Sequence, residues 1–205
     1  APNLQENTTD ATYSGSDNVL IGHRCYQNAT VGSKNVMIGA GAICSGEYFA
    51  RNVIIGYGVA SAGINQINLA DNVIIGNSCQ TINSGVGKAT IVGANNGYVN
   101  NSLTVFGSDN LQYATSGNRV TICGSNNLNS CSVDAFSCAI GASNGNTSTT
   151  GFYNCYIGFN NDISSSSLVG SACIGVNNVI PREHCFYIGS NNNLGTSGLN
   201  EYQQL

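Results

Sequence analysis

The sequence predicts an all-β fold, a parallel β-solenoid or β-roll that adds one strand layer with each turn of about 17 residues. Three observations predict it. A short apolar motif ending in Gly recurs along the chain, the interval between its glycines is nearly constant, and turn-forming residues fill the intervals. A repeat of this length is too short for a helical repeat or a propeller blade.

The motif begins as VLIG, VMIG and VIIG and continues with variants such as TIVG, CAIG and FYIG. Each copy offers one confident strand of about four residues, rich in Val and Ile. At the usual strand spacing of ~4.8 Å, the stacked copies would form a rod roughly 50 Å long. The glycines of the successive copies are Gly22, Gly39, Gly56, Gly76, Gly93, Gly107, Gly124, Gly141, Gly158, Gly175 and Gly189.

The composition agrees with a folded β-protein that has many turns. Charged residues make up 8 %, hydrophobic residues 41 %, and the chain has 26 Gly, 2 Pro and no Trp. A disordered chain would contain less Val and Ile, and a helical protein more Ala, Leu, Glu and Lys. A net charge of −4, with 6 Lys and Arg in total, argues against nucleic acid and anionic membranes as partners. No apolar run reaches the length of a membrane span.

The repeat organises the chain into three segments. Residues 1–17 are predicted to be an N-terminal cap or linker, 18–192 a single solenoid, and 193–205 a C-terminal cap or linker. Within the solenoid the character changes near residue 90. The corner position three residues after the glycine is small and apolar before that point and Asn after it.

The apolar motif predicts which strand residues face the interior. Side chains alternate along a strand, so the residue before each Gly and the residue two earlier share one face, which we expect to be the inside. The middle residue then points outward, where an apolar stripe is too large to leave in solvent. A parallel homotrimer would cover it. This predicted oligomer stripe comprises Leu20, Met37, Ile54, Ile74, Ile91, Val105, Ile122, Ala139, Tyr156, Cys173 and Tyr187.

A column of Asn residues occupies the corner in the later repeats. In stacked turns these side chains would lie above one another, and their amides could form hydrogen bonds along the stack. The alternative is that each Asn merely tolerates a left-handed turn. The column predicts a structural Asn ladder of Asn96, Asn110, Asn127, Asn144, Asn161, Asn178 and Asn192.

The stretch VMIGAGAICSGEYFARNVIIGYGVASAG resembles the head repeat of trimeric autotransporter adhesins, the YadA-like β-roll. The strand positions match at Val36, Ile38 and Gly39, and the small residues that follow match at Ala42 and Cys44. Similar repeats occur in viral and phage tail fibres. The resemblance implies a homotrimer, either intertwined or side by side.

No catalytic, cofactor-binding or metal-binding residue is predicted. The Asp and Glu residues are dispersed, mostly at turns, and no CxxC occurs. Cys123, Cys138, Cys155 and Cys173 stand where other repeats have Val, Thr or Ile, which predicts thiols packed as small core hydrophobes. Thr90, Thr104 and Thr121 share this register, which argues against an outward-facing, ice-binding ladder.

The combined pattern predicts a structural, host-attachment fibre domain of a virus or bacteriophage, located on the virion surface or otherwise extracellular. Its partners would be two further copies of the chain and a glycan or protein on the host cell. The alternatives are the head domain of a cellular trimeric adhesin and a fibre-borne polysaccharide depolymerase. Receptor-binding candidates are Tyr98, Phe152 and Tyr153, aromatic residues of long corners that could stack on sugar rings, although each could instead cover the core or the trimer seam.

Overall fold

The computed structural model describes residues 4–5, 16–23, 29–42, 46–59, 68–81, 86–98, 102–111, 117–129, 133–146, 150–163, 168–180, 184 and 186–191. Within these ranges the regular elements are all β-strands, and the predicted parallel β-solenoid is confirmed. The chain divides into two compact units, Ala1–Thr104 and Val105–Leu205. In each unit, one sheet carries the longest stack of strands and is called the main sheet.

The first unit contains six main-sheet strands, and consecutive strands pair in parallel. They are Leu4–Gln5, Val19–Ile21, Val36–Ile38, Val53–Tyr57, Val73–Asn77 and Thr90–Ala94. A second, four-stranded sheet and a short strand pair form other sides of the coil. The second sheet comprises Ala29–Ser33, Gly46–Ala50, Asn68–Ala70 and Val86–Gly87, and the pair comprises Gln80–Thr81 and Gly97–Tyr98.

The second unit repeats this plan. Its main-sheet strands are Thr104–Ser108, Thr121–Ser125, Cys138–Ala142, Cys155–Phe159, Ala172–Val176 and Phe186–Ser190. Thr104, the first residue of the first of these strands, is the last residue of the first unit. Its second sheet comprises Gly117–Asn118, Val133–Ala135, Thr150–Phe152 and Leu168–Val169. Its short pair comprises Asp162–Ile163 and Val179–Ile180.

Two sharp bends flank each main strand. The residue two positions before the strand has positive φ in successive turns, for example 57° at Arg51 and 61° at Asp71; we call this position the leading corner. The position two residues after the motif glycine also has positive φ, for example 55° at Asn126 and 57° at Ser143. This residue and the one that follows it are together called the trailing corner. The Asn, Asp and Ser residues at the trailing corner fit this conformation, since short polar side chains tolerate it.

The core is built from the middle residues of the main strands, which reverses the predicted orientation of the strand faces. The predicted oligomer stripe points inward. All of its members are 5 % exposed or less: Leu20, Met37, Ile54, Ile74, Ile91, Val105, Ile122, Ala139, Tyr156, Cys173 and Tyr187. The residues predicted to be inside point outward, and Ile21, Phe106 and Ile140 are 46, 45 and 42 % exposed.

The reversal has a geometric cause. A buried residue precedes the main strands from Val19–Ile21 to Ala172–Val176, such as Asn18 before Val19. It lies two positions before the middle residue, so the two share a face of the extended chain. Because three consecutive strand positions are apolar, hydrophobicity alone favours neither face.

The motif glycines lie next to or within the main strands. Gly141 lies within Cys138–Ala142 and pairs in register with Gly124 and Gly158. A Cβ atom at Gly141 would lie 1.9 Å from the carbonyl oxygen of Gly158. The neighbouring turns therefore approach too closely for any side chain at this column.

The Asn ladder is present in the second unit along the trailing corner. Asn127 Nδ2 donates hydrogen bonds to Asn110 Oδ1 at 3.1 Å and to the carbonyl oxygen of Gly141 at 2.9 Å. Asn144 repeats this arrangement on Asn127. Among the predicted members, Asn110, Asn127, Asn144, Asn161 and Asn178 are linked by such bonds, Asn96 is buried, and Asn192 lies outside the described residues.

A second ladder, not predicted, lies immediately before the main strands of the first unit. Asn18, Asn35, Asn52 and Asn72 are buried, and each Oδ1 of the first three accepts hydrogen bonds from the backbone N–H and the Nδ2 of the next. In these turns the trailing corner is filled by the buried apolar residues Ala42, Val59 and Cys79.

Candidate functional site

The outer face of the main sheet is an apolar surface in each unit. It consists of the first and third residues of the main strands, such as Val73 and Ile75 in the first unit and Cys138 and Ile140 in the second. Ile75 is 37 % exposed, Phe106 45 % and Ile188 59 %. Thr90, Thr104 and Thr121, which were predicted to point inward, also lie on this face and are partly or fully exposed. The face forms flat rows with almost no charge.

The three receptor-binding candidates lie at different places on the coil. Tyr98 ends the short strand Gly97–Tyr98, which pairs with Gln80–Thr81 in the first unit. Phe152 and Tyr153 belong to one turn of the second unit, at the end of the strand Thr150–Phe152 and at the following leading corner. Their side chains are 38 and 60 % exposed.

Tyr153 belongs to a stack of side chains along the leading corner of the second unit. Its ring centroid lies 4.9 Å from that of Phe136, with 18° between the ring planes. The guanidinium carbon of Arg119 lies 5.0 Å from the Phe136 centroid. We call these three residues the corner stack. Their spacing matches the distance between neighbouring strands, so the coil itself sets the stacking distance.

Sequence reasoning missed Phe136 and Arg119 as partners of Tyr153. The signal was available, because Arg119, Phe136 and Tyr153 each stand two residues before an apolar strand motif. Residues of one register in a parallel coil stack on one another, and reading that column would have predicted contact.

The corner stack has an unusual backbone. Phe136 and Tyr153 both have φ of 59°, a left-handed conformation that costs a residue with a bulky side chain roughly 1–2 kcal/mol. The leading corners of the first unit carry Asp17, Lys34, Arg51, Asp71 and Lys88 instead. The fold therefore does not require aromatic residues at this position.

One ion pair joins leading corners in the first unit. Arg51 Nε donates to Asp71 Oδ1 and Arg51 Nη2 to Asp71 Oδ2, at 2.5 and 2.8 Å. The hydrogen bond from Arg51 lowers the pKa of Asp71, and the same contact raises the pKa of Arg51. Both groups are well exposed, so the pair contributes little to stability.

The described cysteines are free thiols with two kinds of surroundings. Cys79 and Cys173 are buried, whereas Cys123, Cys138 and Cys155 lie on the outer face rather than in the predicted core positions. Burial raises the pKa of Cys173 to about 11. Burial, reinforced by the neighbouring Cys155, also raises the pKa of Cys138.

Alkylation rates are expected to separate these thiols. At pH 8 the Cys173 thiol is protonated and enclosed, so iodoacetamide should modify it far more slowly than the exposed Cys123, since the thiolate is the nucleophile. Peptide mass spectrometry after timed quenching measures both rates. Unfolding in urea should equalise them, and equal rates in the native protein would contradict the burial of Cys173.

Within the described ranges, no group of three or more His, Cys, Asp or Glu side chains is placed to hold a metal ion. The search for helices long and apolar enough to cross a membrane found none in the part of the chain that the structure describes.

Comparison with protein-family models, with curated proteins and with solved structures found no match to this chain. The architecture is consistent with a β-roll.

Proposed function

We propose that this chain is a structural, host-attachment domain of a viral or bacteriophage fibre, of the YadA-like β-roll type, located on the virion surface or otherwise extracellular. Three parallel copies assemble through the outer faces of their main sheets and present the polar corners to a glycan or protein on the host cell. The observation that supports the proposal is the apolar outer face.

The size of the outer face favours a protein partner. Five strands in the first unit and six in the second, at ~4.8 Å spacing and with two rows of outward side chains, give a patch of roughly 300 Å² in each unit. An apolar patch of this size is comparable to the largest one on a typical monomer, which is often functional. The corners on either side carry Asp, Lys, Arg, Ser and Asn, so the apolar surface has a polar rim, as protein interfaces do.

The regularity of the face favours further copies of the same chain as that partner. Its Val and Ile side chains repeat once per turn of the coil. The outer face of a second, parallel copy has the same spacing, so the side chains of the two copies can pack against each other along their length. When the copies are related by rotation about an axis parallel to the coil, they form a closed assembly in which each outer face is covered by the other copies. The trimeric number follows from the resemblance to adhesin and fibre repeats.

A charge on the outer face is expected to prevent assembly without unfolding the chain. Ile75→Asp places a carboxylate where the side chain is 37 % exposed in one chain but would be enclosed in the trimer. Light scattering coupled to size exclusion should report a trimer for the parent protein and a monomer for the variant, with the β-type circular dichroism spectrum retained.

Ser78→Asp is the matched control. It introduces the same charge three residues later at the trailing corner, where the next unit has Asp109 in the same conformation. It should remain trimeric. A parent protein that is monomeric at micromolar concentration would overturn the assembly, and a trimer that binds no cells of any candidate host would overturn the attachment role.

A further inference from the structure

Two thiols lie side by side on the outer face of the second unit. Cys138 and Cys155 are the first residues of neighbouring main strands and pair with each other in register. Both are partly exposed. Burial, followed by the charge of Cys155 and a hydrogen bond with it, raises the pKa of Cys138, which indicates that the two side chains are in contact. We call Cys138 and Cys155 the thiol pair.

The coil sets the separation of the thiol pair. Residues paired in register on parallel strands are one strand spacing apart, ~4.8 Å, and their side chains point to the same face. A disulfide needs its two Cβ atoms about 3.5–4.5 Å apart and turned toward each other. The thiol pair therefore does not suit a disulfide unless the backbone moves, and both residues are free cysteines in the structure.

The same separation suits one metal ion held between two sulfurs. A metal–thiolate bond is ~2.3 Å long, so two sulfurs on opposite sides of one ion are up to ~4.6 Å apart. Zinc prefers four ligands, and among the residues that the structure describes no group of three or more His, Cys, Asp or Glu is arranged for a metal. Cu(I) is a soft ion that selects thiolates, and two of them in a line satisfy it.

We infer that Cys138 and Cys155 bind one soft monovalent metal ion of the Cu(I) class between their two sulfurs. Each thiol releases its proton when the ion binds, because the thiolate is the ligand. Thr121 and Ala172 come next along the column on either side, and both pair in register with the thiol pair. Neither offers a soft ligand, so the column supplies two sulfurs. This site goes beyond the proposed fibre function and does not depend on it.

Single substitutions test the site, because an ion held by two sulfurs needs both. Cys138→Thr and Cys155→Thr each remove one sulfur, and Thr121 holds the same position in the neighbouring strand, so the sheet accommodates threonine there. Cys123→Val is the matched control. Cys123 is an exposed thiol on the same face, and Val92 holds the equivalent position in the first unit.

The probe is Cu(I), delivered without oxygen as its bicinchoninate complex to the reduced protein. The chain has 9 Cys, so the difference between variants is measured rather than the total bound. Each Thr variant should bind about one Cu(I) ion fewer than the parent, because one remaining thiolate holds the ion weakly. Cys123→Val should bind as many ions as the parent. Equal thermal melting temperatures exclude unfolding as the cause.

The same titrations are made in the Ile75→Asp chain, in which the outer face is expected to be uncovered. If both Thr variants bind as much Cu(I) as their parent in both backgrounds, the site is overturned. An equal loss in Cys123→Val would overturn the assignment to two sulfurs. Zn(II) at the same concentration should not displace the ion, and displacement would overturn the assignment to a soft monovalent metal.

Discussion

Gly56→Ala is expected to cost more than about 4 kcal/mol of unfolding free energy, a large part of the ~5–15 kcal/mol by which a folded domain is usually stable. The new Cβ would lie 1.6 Å from the carbonyl oxygen of Gly76 in the next turn, about half of a normal contact distance. The two strands would have to separate and lose hydrogen bonds of the main sheet. The φ of 139° adds strain for any residue with a Cβ. Urea unfolding followed by circular dichroism measures the loss.

Gly58→Ala is the matched control, two residues further along the same turn. Gly58 also has positive φ, 58°, but a Cβ there would meet nothing closer than Ser78 Oγ at 3.9 Å. Only the backbone strain of roughly 1 kcal/mol should remain. If the two variants lose similar stability, close approach of the turns is not the reason for glycine in the motif.

Asn127→Ala is expected to destabilise the protein by roughly 3–5 kcal/mol, from the loss of four buried hydrogen bonds. The Asn127 amide donates to Asn110 Oδ1 and to the Gly141 carbonyl, and its Oδ1 accepts from Asn144 N and Nδ2. Alanine removes all four and leaves buried groups above and below without their Asn127 partner. The urea midpoint should fall with an unchanged slope.

The neighbouring Asn126 supplies the control for this ladder. Asn126 is exposed, has φ of 55°, donates from Nδ2 to Ser143 Oγ at 3.1 Å and accepts at Oδ1 from Asn129 Nδ2. Asn126→Gly keeps the left-handed conformation accessible and removes two hydrogen bonds instead of four, so it should cost about 1 kcal/mol, well below the loss for Asn127→Ala. Comparable losses for the two variants would show that the buried ladder is not a major source of stability.

The period of the coil could be predicted from the sequence because glycine is required at one column. Only a residue without Cβ fits between turns such as those of Gly141 and Gly158, so the spacing of Gly marks the spacing of strands. The orientation of the strand faces could not be predicted from hydrophobicity. Val73, Ile74 and Ile75 are all apolar, and only the middle one is fully enclosed.

The polar residue beside the motif carried the missing information. In NVIIG the Asn is buried, and it shares a face with the first Ile of the II pair, so its column identifies the inward residue. The same reasoning applies to the surface column of Arg119, Phe136 and Tyr153. Exposure at that column depends on the width of the coil at the leading corner, which residues distant in sequence decide.

The register of the strands also bears on how such a chain can change over generations. Thr121 pairs with Cys138, and Cys138 with Cys155, so each contact joins equivalent places in adjacent turns. Recombination between similar coding segments that removes residues 138–154 would bring Cys155 beside Thr121, with Gly158 beside Gly124 and the inward column intact. The segments between strands can differ in length without moving these columns, since Ile54 and Ile74 lie 20 residues apart, pair in register and are both buried. Coils of this kind can therefore gain or lose whole turns during evolution.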